Sequence, residues 1–204
     1  MRIIDQGTDI FWKLADGSKV RWIVDGSDYV PFRRGTYIDI EHDSSYWKLT
    51  FKDQTQLWFD MGQGLLRYKK DRNDNTLTYD YDSEDRLTLV SDGNGRGTVW
   101  SYDGRTDGQP TGMAVFGRNS SVIDRVTNLY YTDDGQLESI RDPEGNWTYF
   151  GYWPDKGPLQ FVVDPQGFLS YYEYDSLGRV LQEQFDQYTT RNYFYELDPD
   201  EGGL

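Results

Sequence analysis

Serine-hydrolase chemistry in this chain would have to use His42, because the sequence contains one histidine and no cysteine. Glu41 and Asp43 flank His42, but neighbouring residues on a strand point to opposite faces and cannot form a triad with it. Zinc sites require several histidine or cysteine ligands, and the sequence does not supply them. We therefore predict that His42 is a surface residue and that the chain has no zinc centre.

Carboxylates are abundant, with 35 aspartates and glutamates, so close acidic pairs are expected by chance. Glycosidases need two carboxylates at a set separation in a cleft, and no pair stands out among Glu84-Asp85, Asp133-Asp134, Asp198 and Asp200. The stretches "DRNDN" and "DGNGR" are rich in oxygen but lack the calcium-loop spacing. A role of aspartate in tight turns explains these two stretches better than calcium binding does. We predict no enzymatic activity, no metal and no cofactor.

The composition restricts the class of partner. The net charge is −14, which disfavours binding to a phosphate backbone or to an anionic membrane surface. No apolar run approaches the ~20 residues of a membrane-spanning helix, and the N-terminus lacks a signal-peptide core. Seventeen Tyr, ten Phe and seven Trp compensate for a modest aliphatic content. Such aromatics favour half-buried strand surfaces.

An aromatic residue, followed by Asp in the clearest copies, recurs along the chain. The positions are Phe59, Tyr81, Tyr102, Tyr131, Tyr152, Tyr174 and Tyr195, at intervals of 22, 21, 29, 21, 22 and 21 residues. Four turn sequences, "DRNDN", "DGNGR", "DPEGN" and "DPQGF", begin ten residues before four of these aromatics. This regularity indicates an internal repeat of 21–22 residues with one insertion.

Each repeat predicts a β-hairpin. Alternating residues such as Leu77, Tyr79 and Tyr81 share one face of a strand, and the Asp-x-x-Gly tetrads predict tight turns between strands. A single hairpin is unstable in water, so successive hairpins must pack side by side. The sequence therefore predicts an all-β array of stacked antiparallel hairpins, with aromatic ladders and essentially no helix.

These motifs resemble the Rhs or YD-repeat family, whose hallmark is Tyr-Asp-x-x-Gly-Arg-Leu. "YDSLGRV" and "YDSEDRL" are close copies, whereas "YTDDGQL" and "FDMGQGL" are looser ones. The resemblance implies a spiralling β-sheet that closes into a shell, which in bacterial members encloses a toxin and in teneurins serves adhesion. It marks the following as repeat-signature residues with a structural role: Phe59, Asp60, Tyr81, Asp82, Arg86, Tyr102, Asp103, Tyr131, Gly135, Tyr152, Tyr174, Asp175, Gly178 and Arg179.

Three regions follow from this pattern. Residues 1–46 are predicted to form a β capping segment that covers the first hairpin edge, with a hairpin around Asp16-Gly17. Residues 47–198 contain the repeats, and residues 199–204 form a tail. The insertion within 104–125 is predicted as a long surface loop. Met113, Val115 and Phe116 form an apolar tip there and are candidates for contacting a partner.

We predict a non-catalytic structural role, as a segment of a shell that encapsulates or scaffolds a toxin or partner domain. The partner would be protein, either other repeat segments or an enclosed toxin domain, and the location secreted or cell-surface associated. The alternative is a cell-surface carbohydrate-binding module, because aromatic ladders also stack on sugars. A β-propeller is disfavoured, since alternate repeats do not differ.

Overall fold

The computed structural model describes residues 1–117, 123–185 and 189–195 and shows β-strands joined by short turns. Within these residues there is no helix, and so none that could cross a membrane. The chain forms two compact units, the first mainly residues 1–101 and the second mainly from Arg125 onward. The strands are β1 (Arg2–Asp5), β2 (Asp9–Lys13), β3 (Lys19–Asp25), β4 (Asp28–Pro31), β5 (Ile38–His42), β6 (Tyr46–Phe51), β7 (Gln56–Asp60), β8 (Leu66–Lys70), β9 (Thr76–Tyr81), β10 (Leu87–Asp92), β11 (Gly97–Ser101), β12 (Gly112–Phe116), β13 (Ile123–Tyr131), β14 (Leu137–Arg141), β15 (Trp147–Tyr152), β16 (Leu159–Val163), β17 (Leu169–Tyr174), β18 (Val180–Phe185) and β19 (Thr189–Asn192).

The first unit contains two sheets that enclose the hydrophobic core. Strands β1 to β4 form one antiparallel sheet, and strands β5 to β12 follow one another in chain order in the other. The largest fully buried side chains come from both sheets, Ile10 and Trp22 from the first and Leu49 and Phe59 from the second. The alternating burial of β6 and β7 shows that one face of the repeat sheet points into this core.

The N-terminal segment differs in one respect from the prediction that it covers a strand edge. The hairpin around Asp16-Gly17 is present as β2 and β3, but the β1–β4 sheet packs across a face of the repeat sheet. The Trp12 and Phe51 rings meet edge to face at 5.7 Å. Large aromatic side chains bury much apolar surface, and Trp12 and Trp22 bury theirs against the repeat sheet. Residue 46 as a domain boundary stays a prediction, although β5 already pairs with β6.

The second unit is a single layer of hairpins. Strands β13 to β19 are hydrogen-bonded in chain order, which confirms the predicted hairpin array. Among its described hydrophobic side chains none is fully buried. The half-buried aromatics therefore hold this unit together without a second sheet.

The insertion is not the continuous loop that the sequence predicts. Residues 112–116 form strand β12, which places Met113, Val115 and Phe116 in the sheet rather than at a loop tip. The Phe116 ring lies over Gly97, where an added Cβ would be 2.5 Å from the ring. The glycines and proline suggested a loop, whereas the alternation in "GMAVF" and the glycine opposite Phe116 allow a strand. Residues 118–122 and the tail 199–204 lie outside the described residues.

Candidate functional site: the repeated turns and the signature face

The signature aspartate organises its turn through three hydrogen bonds. Oδ1 of Asp175 accepts the backbone N–H groups of Leu177 and Arg179, both at 2.9 Å. Oδ2 accepts Nε of Arg179 at 2.7 Å. Gly178 between them has φ of 78°, as the last residue of a three-residue hairpin loop requires. The Asp, Gly and Arg of the motif thus form one local unit.

The Asp82 turn repeats this geometry although Asp85 stands in place of glycine. Oδ2 of Asp82 accepts Nε of Arg86 at 2.7 Å, and Asp85 adopts φ of 61°. Aspartate tolerates this left-handed conformation better than most residues. The Asp85 carboxylate also forms an ion pair with Arg2 at 2.6 Å. Replacement of the motif glycine by Asp85 therefore adds an ion pair to strand β1.

The turns at the other ends of the hairpins use the same arrangement. Asp92 accepts the backbone N–H and Nε of Arg96 at 2.9 and 2.8 Å. Asp142 accepts the backbone N–H and Nδ2 of Asn146 at 2.7 and 2.9 Å. The structure therefore explains the recurring aspartates by turn formation, as the sequence predicted.

Acid is expected to weaken these turns. The backbone N–H of Arg96 is the largest cause that lowers the pKa of Asp92, and with the guanidinium it outweighs burial and brings the pKa to about 2. Because the folded pKa is depressed, the stabilisation is present above the unfolded value of about 4 and is lost as pH falls from about 4 to about 2. Urea denaturation across this range should show a smaller acid-induced loss in Asp92→Asn than in the wild type. Identical pH dependence in both proteins would contradict this role.

Gly178 offers a test of the turn conformation. Gly178→Val is expected to lower the free energy of unfolding by about 1–3 kcal/mol, because a β-branched residue is strained at positive φ. Beyond its two chain neighbours, no atom lies within 4 Å of the added Cβ position, so the effect is expected to come mainly from the backbone conformation. Ser176→Ala in the same turn is the control and should change stability little. Equal loss in the two variants, measured by urea denaturation, would refute the assignment.

The signature aromatics occupy equivalent positions in their hairpins. Five of them lie at or next to the end of the first strand and face a partner beside a bulge that adds one residue to the second strand. These pairs are Phe59 with Leu66, Tyr81 with Leu87, Tyr131 with Leu137, Tyr152 with Leu159 and Tyr174 with Val180. Bulges increase the local twist of a strand pair. The sequence predicted the equivalence but not the bulge.

The signature tyrosine of one repeat contacts the hairpin of the preceding repeat. The hydroxyl of Tyr152 donates to the Leu137 carbonyl at 2.9 Å, and that of Tyr195 donates to the Val180 carbonyl at 2.8 Å. The Arg179 guanidinium lies 4.4 Å from the centre of the Tyr195 ring. Guanidinium groups are attracted to aromatic faces. The aspartate thus holds the arginine in place, and the arginine supports the next tyrosine.

The residues at the insertion keep parts of this arrangement. Tyr131 donates to the Pro110 carbonyl at 2.8 Å and lies beneath Arg105, whose guanidinium is 4.2 Å from its ring centre. The N–H of Asp103, next to Tyr102, donates to the Thr111 hydroxyl at 3.0 Å. Sequence reasoning missed these links, although the fixed arginine after glycine was a signal for them.

Two looser copies show which parts of the turn can vary. Gly135 has φ of 84°, and Thr132 replaces the aspartate, accepting the Gln136 N–H at 3.1 Å. In the first repeat, Asp60 accepts the Gln63 N–H at 2.6 Å and Nε of Arg67 at 2.9 Å. Burial alone would raise the pKa of Asp60, but these donors lower it overall.

His42 lies at the exposed end of β5, as predicted. Its Nδ1 is 3.1 Å from the Asp43 carbonyl oxygen, and its ring packs at 4.8 Å from the Trp47 ring. In the described part of the chain, no three histidines or acids are placed to hold a metal ion.

The repeat sheet has one face that carries the signature aromatics and the residues two positions before them, which we call the signature face. In the first unit this face is covered at strands β6 and β7, whereas Tyr79, Tyr81 and Trp100 on β9 and β11 are only half-buried. Leu57 and Phe59 are 5% and 0% exposed, beneath strands β1 to β4.

In the second unit the residues of the signature face are only half-buried. Leu129 lies opposite Ile140, and Phe150 lies opposite Val162. Tyr172, two residues before Tyr174, belongs to the same set. Positions that are core residues on β7 therefore remain partly accessible in the second unit.

No family model matches the sequence, and no curated protein matches it. Among solved structures, the chain is similar to the Photorhabdus luminescens Tc holotoxin pore carrying the mutation TccC3-D651A. The TM-score is 0.55 at 13% identity, over 91% of this chain and 11% of that one. The fold is that of this Rhs/YD-repeat toxin component. TcdB2-TccC3-TEV is also matched, at a TM-score of 0.47 and 12% identity, over 91% of this chain and 12% of that one. The chain thus spans about a ninth of the length of the toxin chain it matches.

Proposed function

We propose that this chain is a non-catalytic wall segment of a YD-repeat shell, and that its open signature face contacts an enclosed toxin or partner domain. The observation that carries the proposal is the difference between strands β6 and β7, which the β1–β4 sheet covers, and the second unit. The repeat positions that lie beneath the β1–β4 sheet on β6 and β7 are only half-buried in the second unit, where Phe150, Val162 and Tyr172 occupy this face. The toxin component of similar fold supports a structural role and an exported, secreted or surface-associated location.

A partner polypeptide suits this face better than a small ligand. The rows that join Leu129 to Ile140 and Phe150 to Val162 extend over four neighbouring strands. These apolar side chains alternate with polar ones such as Thr148 and Ser170 on the same face. A surface that extends over several strands fits another protein surface, whereas small ligands prefer concave sites. The partner would therefore present an apolar face of its own, as the β1–β4 sheet does in the first unit.

Val162 and Val163 provide a matched test because they are neighbours on β16 and point to opposite faces of the sheet. Val162 and Val163 are replaced by glutamate in separate variants of the full protein. Each variant is co-expressed with the genes that lie next to the gene of this protein. We expect Val162→Glu to reduce the amount of partner that co-purifies and Val163→Glu to leave it unchanged. Circular dichroism and thermal melts establish that both variants fold. Equal retention of the partner by the two variants would refute the proposal.

A carbohydrate-binding role is the second candidate, favoured by three rings on the opposite face. Trp147 and Tyr149 are parallel within 12° with centroids 5.9 Å apart, and Tyr130 lies 5.2 Å from Trp147. Tyr149 is 46% exposed, so its ring is available to a sugar. A glycan array with defined hits that Trp147→Ala abolishes would support this function. An array without reproducible hits would exclude it for the glycans tested.

A further inference from the structure

The turn after Tyr152 departs from the repeat in three ways. Trp153 occupies the position that the clearest copies give to aspartate. The turn is one residue longer, because the Trp153 N–H donates to the Pro158 carbonyl at 3.0 Å. Asp155 and Lys156 both have positive φ, 60° and 59°. Consecutive non-glycine residues in this conformation are strained, and such strain is concentrated at functional sites.

Several contacts fix the Trp153 side chain despite this strain. Its indole N–H donates to the Tyr172 carbonyl at 3.4 Å, and its ring meets Tyr171 edge to face at 5.9 Å. Gly157 allows the close approach of the turn, since an added Cβ would be 2.7 Å from Cβ of Trp153. Gln136 of the preceding hairpin donates to the Gly157 carbonyl at 3.2 Å. The indole is therefore held in one position before any ligand arrives.

An open pocket of about 330 Å³ adjoins this ring and is lined by Trp153, Pro158, Glu173 and Tyr174. Two aromatic side chains and a proline provide apolar walls. Among the described residues that line the pocket, Glu173 is the one carboxylate. Aromatic faces attract ammonium groups, and a carboxylate at the rim adds to that attraction. An anionic ligand would be repelled by Glu173 and by a chain of net charge −14.

We propose that the pocket formed by Trp153, Pro158, Glu173 and Tyr174 binds an alkylammonium cation, supplied by a lysine side chain or a quaternary ammonium group. The pocket shares Tyr174 with the signature face, but its ligand is tested without a partner protein, so the two proposals can fail separately.

Nuclear magnetic resonance of the indole N–H groups tests this directly. The Trp153 signal is assigned by its loss in Trp153→Phe, and the protein is titrated with choline and with Nα-acetyl-lysine amide at constant ionic strength. We expect a saturable shift of the Trp153 signal, with the Trp147 signal unchanged as an internal control. The stronger of the two ligands identifies the source of the cation.

Two comparisons separate a cation site from an apolar cleft. The uncharged isostere of choline, 3,3-dimethylbutan-1-ol, should bind about tenfold more weakly. Glu173→Gln should weaken choline binding about fourfold, whereas Glu144→Gln, on an exposed turn, should not. Equal binding of the charged and uncharged compounds, or no saturable shift with either cation, would overturn the proposal.

Discussion

Phe59→Ala is expected to lower the free energy of unfolding of the first unit by about 3–5 kcal/mol. The Phe59 side chain is fully buried and belongs to the core shared by the two sheets. Truncation would remove its apolar contacts and leave a cavity between the sheets. The loss is a large part of the roughly 5–15 kcal/mol that stabilises a typical domain. Urea denaturation followed by the fluorescence of the buried Trp12, Trp22 and Trp47 measures it.

Phe168→Ala is the matched control, since that side chain is 64% exposed. We expect this substitution to change stability by less than about 1 kcal/mol. Phe59→Leu, which keeps most of the volume, provides a folded reference if the alanine variant does not fold. Similar losses from Phe59→Ala and Phe168→Ala would show that the β1–β4 sheet does not bury the signature face.

Gly64→Ala is the second substitution with a large expected effect, a loss of about 2–5 kcal/mol from backbone strain and overlap. Gly64 has φ of 69°, and an added Cβ would lie only 2.1 Å from the Ile3 carbonyl oxygen. The Gly64 carbonyl also accepts the Ile3 N–H at 2.9 Å. The methyl group would therefore push β1 away from the turn between β7 and β8.

Gly62→Ala in the same turn is the control for Gly64. A Cβ added at Gly62 would lie 3.7 Å from Oδ1 of Asp60, its nearest neighbour, which is an ordinary contact distance. Urea denaturation should show little change for Gly62→Ala, and hydrogen exchange at the Ile3 amide should accelerate only in Gly64→Ala. Unchanged exchange at Ile3 in Gly64→Ala would contradict the proposed tie between β1 and this turn.

Sequence reasoning succeeded where the determinants are local. The Asp175 turn is specified by residues within five positions of one another, because one carboxylate satisfies three nearby donors. The strand alternation of Leu77, Tyr79 and Tyr81 likewise needs only neighbouring residues. Turn chemistry and strand period therefore predicted the hairpins and their order.

The sequence could not determine which face of the array is covered. Tyr149 and Phe150 are adjacent and both aromatic, so either face of β15 could have been the buried one. The apolar residues of the β1–β4 sheet are also compatible with packing against either an edge strand or a face of the repeat sheet. Its location depends on Trp12 and Trp22 meeting side chains distant in the sequence, which no local pattern records. The strand in the insertion was missed because its five residues are flanked by glycine and proline.

Oxidative footprinting of Tyr172 and Tyr149 tests the accessible signature face most directly. The two tyrosines lie on opposite faces of the second unit, and both are at least partly exposed. In the isolated chain we expect both to be labelled. In the full protein isolated with its natural partner, we expect Tyr172 to become protected while Tyr149 stays reactive. Tyr172 labelled equally in the isolated chain and in the assembly would contradict the account.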